Sequence, residues 1–143
     1  MALAARRNLR GDEAAVRAKV AVVLARVGLA DRGEQIAGDQ SYGHQRLLEI
    51  AMGLAQDPKV FILDEPTQGL AESEVRNFIE LIKSLAGEVT ILLIEHNMTV
   101  VMEAADHITV LDQGMVLANG TPAEIHENAA VQAAYLGTTD AEN

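Results

Sequence analysis

Val60-Phe61-Ile62-Leu63-Asp64-Glu65 is the stretch that decides the fold, since four apolar residues end in two carboxylates and then Pro66. So short an apolar run favours a strand buried on both faces, as in a parallel α/β sheet. Open α/β sheets bind their ligands beyond the carboxyl ends of the strands, where Asp64 and Glu65 would lie. Adjacent carboxylates there suit Mg²⁺ binding through waters and the activation of a nucleophile. A pair of solvated acids is an equally good interpretation of these six residues alone.

The composition of the 143-residue chain excludes several classes of protein. A formal net charge of −10 argues against a nucleic-acid-binding protein, which needs a basic face to neutralise phosphates. The absence of cysteine excludes disulfides and thiolate metal sites. The longest apolar runs, at 20–25 and 89–94, are too short to cross a bilayer, and the first ten residues do not resemble a signal peptide. We therefore expect a cytosolic protein with a sizeable core.

Two helices are predicted before the central strand. Apolar residues at helical spacing predict the first over about Asp12–Val27, with Gly28 at its carboxyl end, and Ala30–Gln40 is predicted to be a loop. The second begins at Ser41 and stops before Asp57-Pro58. A Ser-x-Gly turn that opens a helix can bind an anion with its backbone N–H groups and the helix dipole. Plain N-capping by Ser41 is the favoured alternative when this motif is taken in isolation.

A strand–helix–strand unit is predicted around the central strand. Pro66–Ala71 reads as a loop, apolar residues from Val75 to Leu85 predict a helix, and Val89–Ile94 predicts a second buried strand. A unit of this length predicts a right-handed parallel crossover. That crossover would bring His96 to the same edge of the sheet as the two carboxylates. A short helix at about Met98–Ala105 should follow.

The remaining elements are predicted to be a hairpin and a helix. Gln113-Gly114 predicts a tight turn between the strands Ile108–Leu111 and Met115–Ala118. The segment Thr121–Glu124 has the spacing of a capping box with Pro at the first helical position. A helix should therefore begin there, and the residues after Leu136 are predicted to be disordered.

The order of these motifs resembles the ATP-binding subunit of ABC transporters. In that class a Ser-x-Gly-x-Gln helix start is followed by a strand ending in Asp-Glu-Pro and later by a strand ending in Glu-His. The segments similar to branched-chain amino-acid (and amide or urea) importers are Ser41-Tyr42-Gly43, Ile94–Met98, Leu117–Pro122 and Ala134–Gly137. The resemblance runs from about Val16 to Gly137. It implies an α/β fold class: the carboxyl-terminal part of a P-loop NTPase (ABC ATPase) domain, with parallel strands, flanking helices and a terminal hairpin.

The resemblance also implies how the partial ABC ATPase domain over 1–143 is organised. The implied parts are a signature helical region at about 12–58, a Walker B and switch α/β core at about 59–120, a carboxyl-terminal helix at about 121–137 and a tail at 138–143. The implied cofactors are ATP and Mg²⁺. The implied partners are a second ATPase subunit, in a homo- or heterodimer, and transmembrane permease subunits, at the inner face of the cell membrane.

Several residues acquire roles through this resemblance. Glu65 is the implied general base, His96 the switch histidine that senses the γ-phosphate, and Asp64 the Mg²⁺ ligand, acting through water. The signature motif, which contacts ATP held by the opposite subunit, consists of Ser41, Tyr42, Gly43, His44 and Gln45. The D-loop residues are Gly69, Leu70 and Ala71.

The chain also departs from the family pattern. Gln40 replaces a usually apolar residue, His44 a usual Gln, and Ala71 a usual Asp or Asn. No G-x-x-x-x-G-K-[ST] motif occurs, so the family's Walker A, adenine-stacking aromatic residue and Q-loop would lie upstream of Met1. We therefore expect that this chain alone does not hydrolyse ATP. The alternative function is a non-catalytic interaction module that pairs with an intact ATPase subunit or a permease.

Overall fold

The computed structural model describes residues 12–136 of the chain, in two compact units that meet in the sequence between Glu95 and His96. The elements of the first unit are α1 (Glu13–Arg26), α2 (Tyr42–Leu54), β1 (Val60–Asp64), α3 (Glu72–Leu85) and β2 (Thr90–Ile94). Those of the second are α4 (Met98–Ala104), β3 (Ile108–Asp112), β4 (Met115–Gly120), α5 (Pro122–Glu127) and α6 (Ala129–Leu136). No helix within 12–136 has both the length and the apolar character needed to cross a membrane.

The two amino-terminal helices form where the sequence predicts them. Asp12 caps α1, because its carboxylate accepts a hydrogen bond of 3.0 Å from the Ala15 N–H. The helix ends before Gly28, which has a φ of +75° that suits glycine. Two short 3₁₀ turns, Ala30–Arg32 and Ala37–Asp39, lie in the segment predicted as a loop. They bring the chain to the start of α2.

Strands β1 and β2 pair in parallel, as the crossover predicts, with Val60 opposite Thr90 and Asp64 opposite Ile94. The expectation that these strands are buried on both faces is wrong. On one face Leu63 is only 7% exposed, whereas on the other Ile62 is 60% exposed. The residues that share this exposed face are Val60, Ile62, Leu92 and Ile94. Side chains alternate along a strand, and the described residues supply packing elements to one face only.

The buried face of this sheet is covered by α2. A Cβ added to Gly53 in α2 would lie 2.6 Å from the ring of Phe61, so the helix backbone packs directly on that ring. On α3, Phe78, Ile79, Ile82 and Leu85 are buried. The helical spacing of these residues is the pattern that predicted α3. The handedness of the β1–α3–β2 crossover stays a prediction.

The second unit contains the predicted hairpin. Strands β3 and β4 are antiparallel, with a register irregularity between Val110 and Leu111. Both turn residues have positive φ, +47° at Gln113 and +80° at Gly114, as a two-residue hairpin turn requires. A core cluster lies within this unit and consists of Ile108, Val110, Ile125 and Val131.

A single carboxyl-terminal helix is expected over about 121–137, but the described residues form two helices there, α5 and α6. The first, α5, begins with the predicted capping box, in which Glu124 accepts from the Thr121 N–H at 2.8 Å. Asn128 then interrupts the helix, and its side chain caps α6 by accepting from Ala130 N at 3.0 Å and Val131 N at 3.1 Å. An Asn side chain competes with the helical backbone for these N–H groups, which explains the break. The predictions for residues 1–11 and 137–143 lie outside the described residues.

Candidate functional site

Two carboxylates stand at the carboxyl end of β1, where the sequence predicts them. Asp64 is the last residue of the strand and is exposed, whereas Glu65 is half-buried. Glu65 has a φ of +43°, a left-handed conformation that is uncommon for a residue with a side chain. Its N–H donates to the Ile94 carbonyl at 2.8 Å, and its carbonyl accepts from the Gln68 N–H at 3.2 Å. The chain therefore turns sharply at Glu65 in a conformation that neighbouring backbone groups hold.

The predicted anion-binding turn lies at the start of α2. Ser41 is the N-cap residue, and its hydroxyl accepts a hydrogen bond of 3.3 Å from the His44 N–H. This geometry confirms the N-capping interpretation. The Gln45 side chain donates to the Gln40 carbonyl at 3.0 Å and so fixes the residues that precede the helix. The first turn of this 13-residue helix retains the positive end of its dipole, which favours an anion.

A hydrogen-bonded contact joins α2 to the end of β1. The Arg46 Nη2 atom donates to the backbone carbonyls of Asp64, at 3.0 Å, and Glu65, at 3.3 Å. The Nη1 atom of the same guanidinium bonds to the Glu49 carboxylate at 2.7 Å. The signature helix and the two carboxylate-bearing residues are thus held together by one side chain.

The start of α2 also packs closely on the D-loop and the beginning of α3. A Cβ added to Gly43 would lie 2.0 Å from a carboxylate oxygen of Glu74, so a larger residue there would force this carboxylate to move. A Cβ added to Gly69, which has a φ of +77°, would lie 3.1 Å from the ring of Tyr42. The structure therefore brings the predicted signature and D-loop residues into contact within one chain.

The loop between β1 and α3 is fastened at both ends. The buried Thr67 donates from its N–H, at 2.9 Å, and from its hydroxyl, at 2.5 Å, to one oxygen of Glu95. At the other end, Ala71 provides no capping side chain for α3, as expected from its departure from the family pattern. Glu74 compensates in part, because its carboxylate accepts from the Ala71 N–H at 2.9 Å. Only the Glu half of a capping box is therefore present.

Gln40, which departs from the family pattern, places a polar atom in a buried position. Its side-chain oxygen is buried, and no hydrogen-bond donor reaches it from the part of the chain that the structure describes. An apolar residue at this position would leave no unsatisfied polar atom. His44, the second departure, is half-buried in the first turn of α2. Leu70 is half-buried, and its N–H donates to the Thr67 carbonyl at 3.1 Å.

His96 follows Glu95 directly and is the first residue of the second unit. It is exposed, and the next residue, Asn97, caps α4 by accepting from Thr99 N at 3.1 Å and Val100 N at 3.4 Å. Because Asn97 caps α4, only Glu95, His96 and Asn97 lie between the end of β2 and the start of this helix. The expected meeting of His96 with the two carboxylates stays a prediction.

The residues present fit a nucleotide-bound magnesium ion better than a metal held by protein alone. Within 12–136, no group of three or more His, Cys, Asp or Glu side chains is arranged to hold a metal. Asp64 is a single exposed carboxylate at the strand end. Mg²⁺ in nucleotide sites uses one or two carboxylates, phosphate oxygens and waters, and Asp64 can supply such a carboxylate.

Three residues of this site have no role in the predictions made from the sequence: Arg46, Glu74 and Thr67. Sequence spacing could have identified two of them. Arg46 lies three residues after Gly43, so both occupy the same face of α2. Glu74 lies three residues after Ala71, which is capping-box spacing. Thr67 had no local signal, because its partner Glu95 is 28 positions away in the sequence.

Comparison with solved structures defines the class of protein. CbiO1 from Clostridium perfringens, part of the ABC transporter complex CbiONQ, superposes with a TM-score of 0.77 at 28% identity, over 93% of this chain and 55% of that protein. MJ1267 in its ADP conformation, an ATP-binding cassette of an ABC transporter, gives a TM-score of 0.77 at 28% identity, over 90% of this chain and 52% of its own. The predicted fold class, a partial P-loop ATPase of the ABC type, is confirmed.

Sequence comparison identifies the family. The ABC transporter model matches residues 2–68, and the model of the branched-chain amino acid ATP-binding cassette transporter matches residues 115–141. This chain belongs to the ATP-binding proteins of ABC transporters. The high-affinity branched-chain amino acid transport ATP-binding protein LivG of Escherichia coli is 45% identical over 121 residues, which are 83% of this chain and 48% of LivG. BraF of Pseudomonas aeruginosa is 46% identical over 116 residues, 80% of this chain and 46% of BraF. The chain spans about half the length of the curated relatives it matches.

Proposed function

We propose that this chain provides the signature, Walker B and switch residues of an ATP-hydrolysing subunit. The subunit would power an importer for branched-chain amino acids or related small polar solutes. The proposal is supported by similarity to two transport ATP-binding proteins whose names specify branched-chain amino acids. The match at residues 115–141, to a model specific to that transporter type, is a second and separate support.

The observation that carries the proposal is the arrangement at the end of β1. Asp64 and Glu65 end the strand, and Arg46 ties their backbone carbonyls to α2. A helix start whose dipole favours an anion and two carboxylate-bearing residues are therefore joined by one side chain. Phosphoryl transfer depends mainly on positioning and on electrostatic stabilisation, and this arrangement supplies elements of both.

Each predicted site residue then has a chemical task. When bound, ATP with Mg²⁺ would supply the γ-phosphorus atom that water attacks, and ADP would leave as its bond to that phosphorus breaks. Glu65 would accept the proton of the water, and Asp64 would help to hold the metal through water. His96 senses the γ-phosphate. The signature residues, Ser41, Tyr42, Gly43, His44 and Gln45, face ATP held by the opposite subunit, and the D-loop residues Gly69, Leu70 and Ala71 contact that subunit.

The partners and the location follow from the same proposal. A second ATPase subunit completes each ATP site, because a signature motif acts on nucleotide bound by the other subunit. Permease subunits in the membrane carry the solute, so this protein works at the cytoplasmic face of that membrane. Neither arrangement requires a membrane-spanning helix in the ATPase itself.

The 143-residue chain alone is not expected to hydrolyse ATP, because its sequence contains no Walker A lysine and glycine-rich loop. A second candidate function, a non-catalytic interaction module, is favoured by one observation. The exposed apolar face of the β1–β2 sheet includes Ile62, at 60% exposure, and Leu92, at 52%. Such a face suits a protein partner.

Two proteins, the chain alone and a fused chain, test these functions. The first is the chain alone, for which calorimetry should show no measurable affinity for Mg²⁺-ATP; micromolar binding would contradict this expectation. The second joins the chain to the Walker A half of Escherichia coli LivG, and it should hydrolyse ATP. If the fused protein binds ATP and forms dimers yet never turns over, the ATPase proposal fails. Co-purification of the unfused chain with an intact ATPase subunit would then favour the interaction module.

A further inference from the structure

The backbone of Glu65 is held in an unfavourable conformation by contacts from three different parts of the chain. Its φ of +43° is the left-handed region, which side-chain-bearing residues adopt rarely. The Ile94 carbonyl at the end of β2 accepts from its N–H, and the Gln68 N–H donates to its carbonyl. Arg46 on α2 donates to the same carbonyl at 3.3 Å and to that of Asp64 at 3.0 Å. Residues held in such conformations concentrate at functional sites, where the surroundings enforce them.

Arg46 is suited to this task by its shape and by its own anchoring. A guanidinium has five donors in a rigid plane, so one nitrogen can serve two consecutive carbonyls while another bonds elsewhere. Here Nη1 bonds to Glu49 at 2.7 Å, and the Arg46 side chain is 30% exposed. The charged group is thus partly withdrawn from water, which strengthens its hydrogen bonds to carbonyl oxygens.

We propose that Arg46 is a positioning residue for Glu65, through which the signature helix sets the orientation of the general base. Arg46 touches only backbone atoms of Asp64 and Glu65 in the contacts described, so it acts through them. Any movement of the first turns of α2 on engaging nucleotide would be transmitted to the Glu65 backbone by this guanidinium. The catalytic part of this inference rests on the proposed function, whereas the backbone contact does not.

Hydrogen exchange measured by mass spectrometry on the 143-residue chain tests the contact itself. Arg46→Met removes the donors but keeps an extended side chain, and Arg46→Lys keeps the charge without the planar fork. Glu49→Gln is the matched control, because it removes the ion pair and leaves the two carbonyl contacts in place. Arg46→Met should speed exchange of the Glu65 and Gln68 amides by about tenfold, the effect of losing one such hydrogen bond locally.

The exchange of the β1 and β2 amides separates local from general effects. In Arg46→Met these amides should exchange at the parent rate, with Arg46→Lys intermediate and Glu49→Gln near the parent at Glu65. The inference is overturned if Glu65 and Gln68 are unaffected by Arg46→Met. It is equally overturned if both strands exchange faster to the same extent, because Arg46 would then be only a stabilising residue.

The fused ATPase described above tests the consequence for catalysis. Arg46→Met should lower kcat by roughly tenfold to a hundredfold, as expected when a catalytic group is misplaced, with the KM for ATP nearly unchanged. In a Glu65→Gln background the same change should cause no further loss, because Arg46 acts through Glu65. A full additional loss in that background would overturn the inference. If the parent fusion does not hydrolyse ATP at all, the proposed function fails, and the exchange measurement still decides the positioning contact.

Discussion

Glu65 and Gln113 have almost the same backbone conformation, with φ of +43° and +47°, for different reasons. Gln113 and Gly114 form the two-residue hairpin turn that connects β3 to β4, and this type of turn requires a positive φ at Gln113. Glu65 lies in no hairpin, and its partners are Ile94, Gln68 and the side chain of Arg46. One left-handed residue is thus set by local sequence, and the other is enforced by tertiary contacts beside the candidate site.

The largest effect should come from the proposed role of Glu65 as the general base. In the fused ATPase, Glu65→Gln keeps the shape and reach of the side chain but cannot accept a proton. Hydrolysis should fall by roughly 10²–10⁴-fold while ATP still binds, and ATP-dependent dimers should accumulate. Steady-state kinetics and size-exclusion chromatography measure both. A rate within about threefold of the parent would be well below this range and would make His96 the next candidate base.

Two companion variants distinguish the other predicted roles. Asp64→Asn should weaken Mg²⁺ dependence and nucleotide affinity together, because Asp64 acts through the metal. His96→Ala should lower turnover with little loss of ATP binding. If all three variants gave the same profile, the separate roles assigned to these residues would not hold.

The next largest effect should come from the close packing that holds the signature turn near Glu65. Gly43→Ala would place a Cβ 2.0 Å from a Glu74 oxygen, so this carboxylate would have to move and would lose its hydrogen bond from the Ala71 N–H. A hydrogen bond to a charged group is worth about 1.5–3 kcal/mol, so the free energy of unfolding should fall by up to that amount. Gly38→Ala is the matched control, since nothing lies within 4 Å of that position. Denaturant unfolding measures both variants. Glu74→Ala removes the same hydrogen bond, so adding it to Gly43→Ala should cause little further loss, whereas fully additive losses would contradict the proposed contact.

A gain in stability is expected one residue before the signature motif. Gln40→Leu removes a buried side-chain oxygen that has no partner among the described residues. Leaving such a group unsatisfied costs about 1–3 kcal/mol, so the variant should unfold at a higher temperature. Gln35→Leu is the control: the exposed Gln35 side chain accepts a hydrogen bond of 3.2 Å from Arg32 Nη1, which water can replace, so the melting temperature should change little. Equal shifts in the two variants would show that hydrophobicity alone, and not the buried oxygen, is responsible.

A smaller gain is expected at the locally determined turn. Gln113→Asn creates the Asn-Gly pair that two-residue hairpin turns favour, and it should stabilise the hairpin by roughly 0.5–1 kcal/mol. Gln113→Val should have the opposite sign, because β-branched residues tolerate positive φ poorly. Thermal unfolding followed by circular dichroism measures both. An unchanged melting temperature for both variants would mean that the turn is not set by local sequence.

The smallest effect concerns pH dependence at the start of α5. Hydrogen bonds from the Thr121 backbone and hydroxyl lower the pKa of Glu124 below its ordinary value. A lowered pKa in the folded state means that this carboxylate stabilises the fold above its unfolded pKa. The contribution is lost as the pH falls through the folded value. Glu124→Gln should therefore flatten the acid side of the stability curve slightly, whereas Glu127→Gln, outside the capping box, should not. Identical curves for the two variants would contradict this prediction.

The sequence by itself determined the local features of this protein. Helix periodicity placed α1, α2 and α3, Ser41 and Thr121 predicted caps that form, and Gln113-Gly114 predicted the hairpin turn. The apolar run ending in Asp64 and Glu65 predicted both a strand and its place in a parallel pair. The helices, caps and turn are predicted correctly because each depends on residues within a few positions of one another, through backbone sterics and capping hydrogen bonds. The parallel pairing is predicted correctly because a strand–helix–strand unit of this length leaves few other topologies.

Only the tertiary structure decided the features that join distant segments. The contact of Arg46 with the Glu65 carbonyl links residues 19 positions apart, and the bond of Thr67 to Glu95 links residues 28 positions apart. The positive φ of Glu65 depends in part on such contacts. The exposed face of the β1–β2 sheet is likewise a tertiary result. An apolar strand sequence indicates which residues favour burial, but it does not predict which elements pack on each face of the sheet. Packing and hydrogen bonding between distant segments determine these features, and the residues near each position in the sequence are not sufficient to predict them.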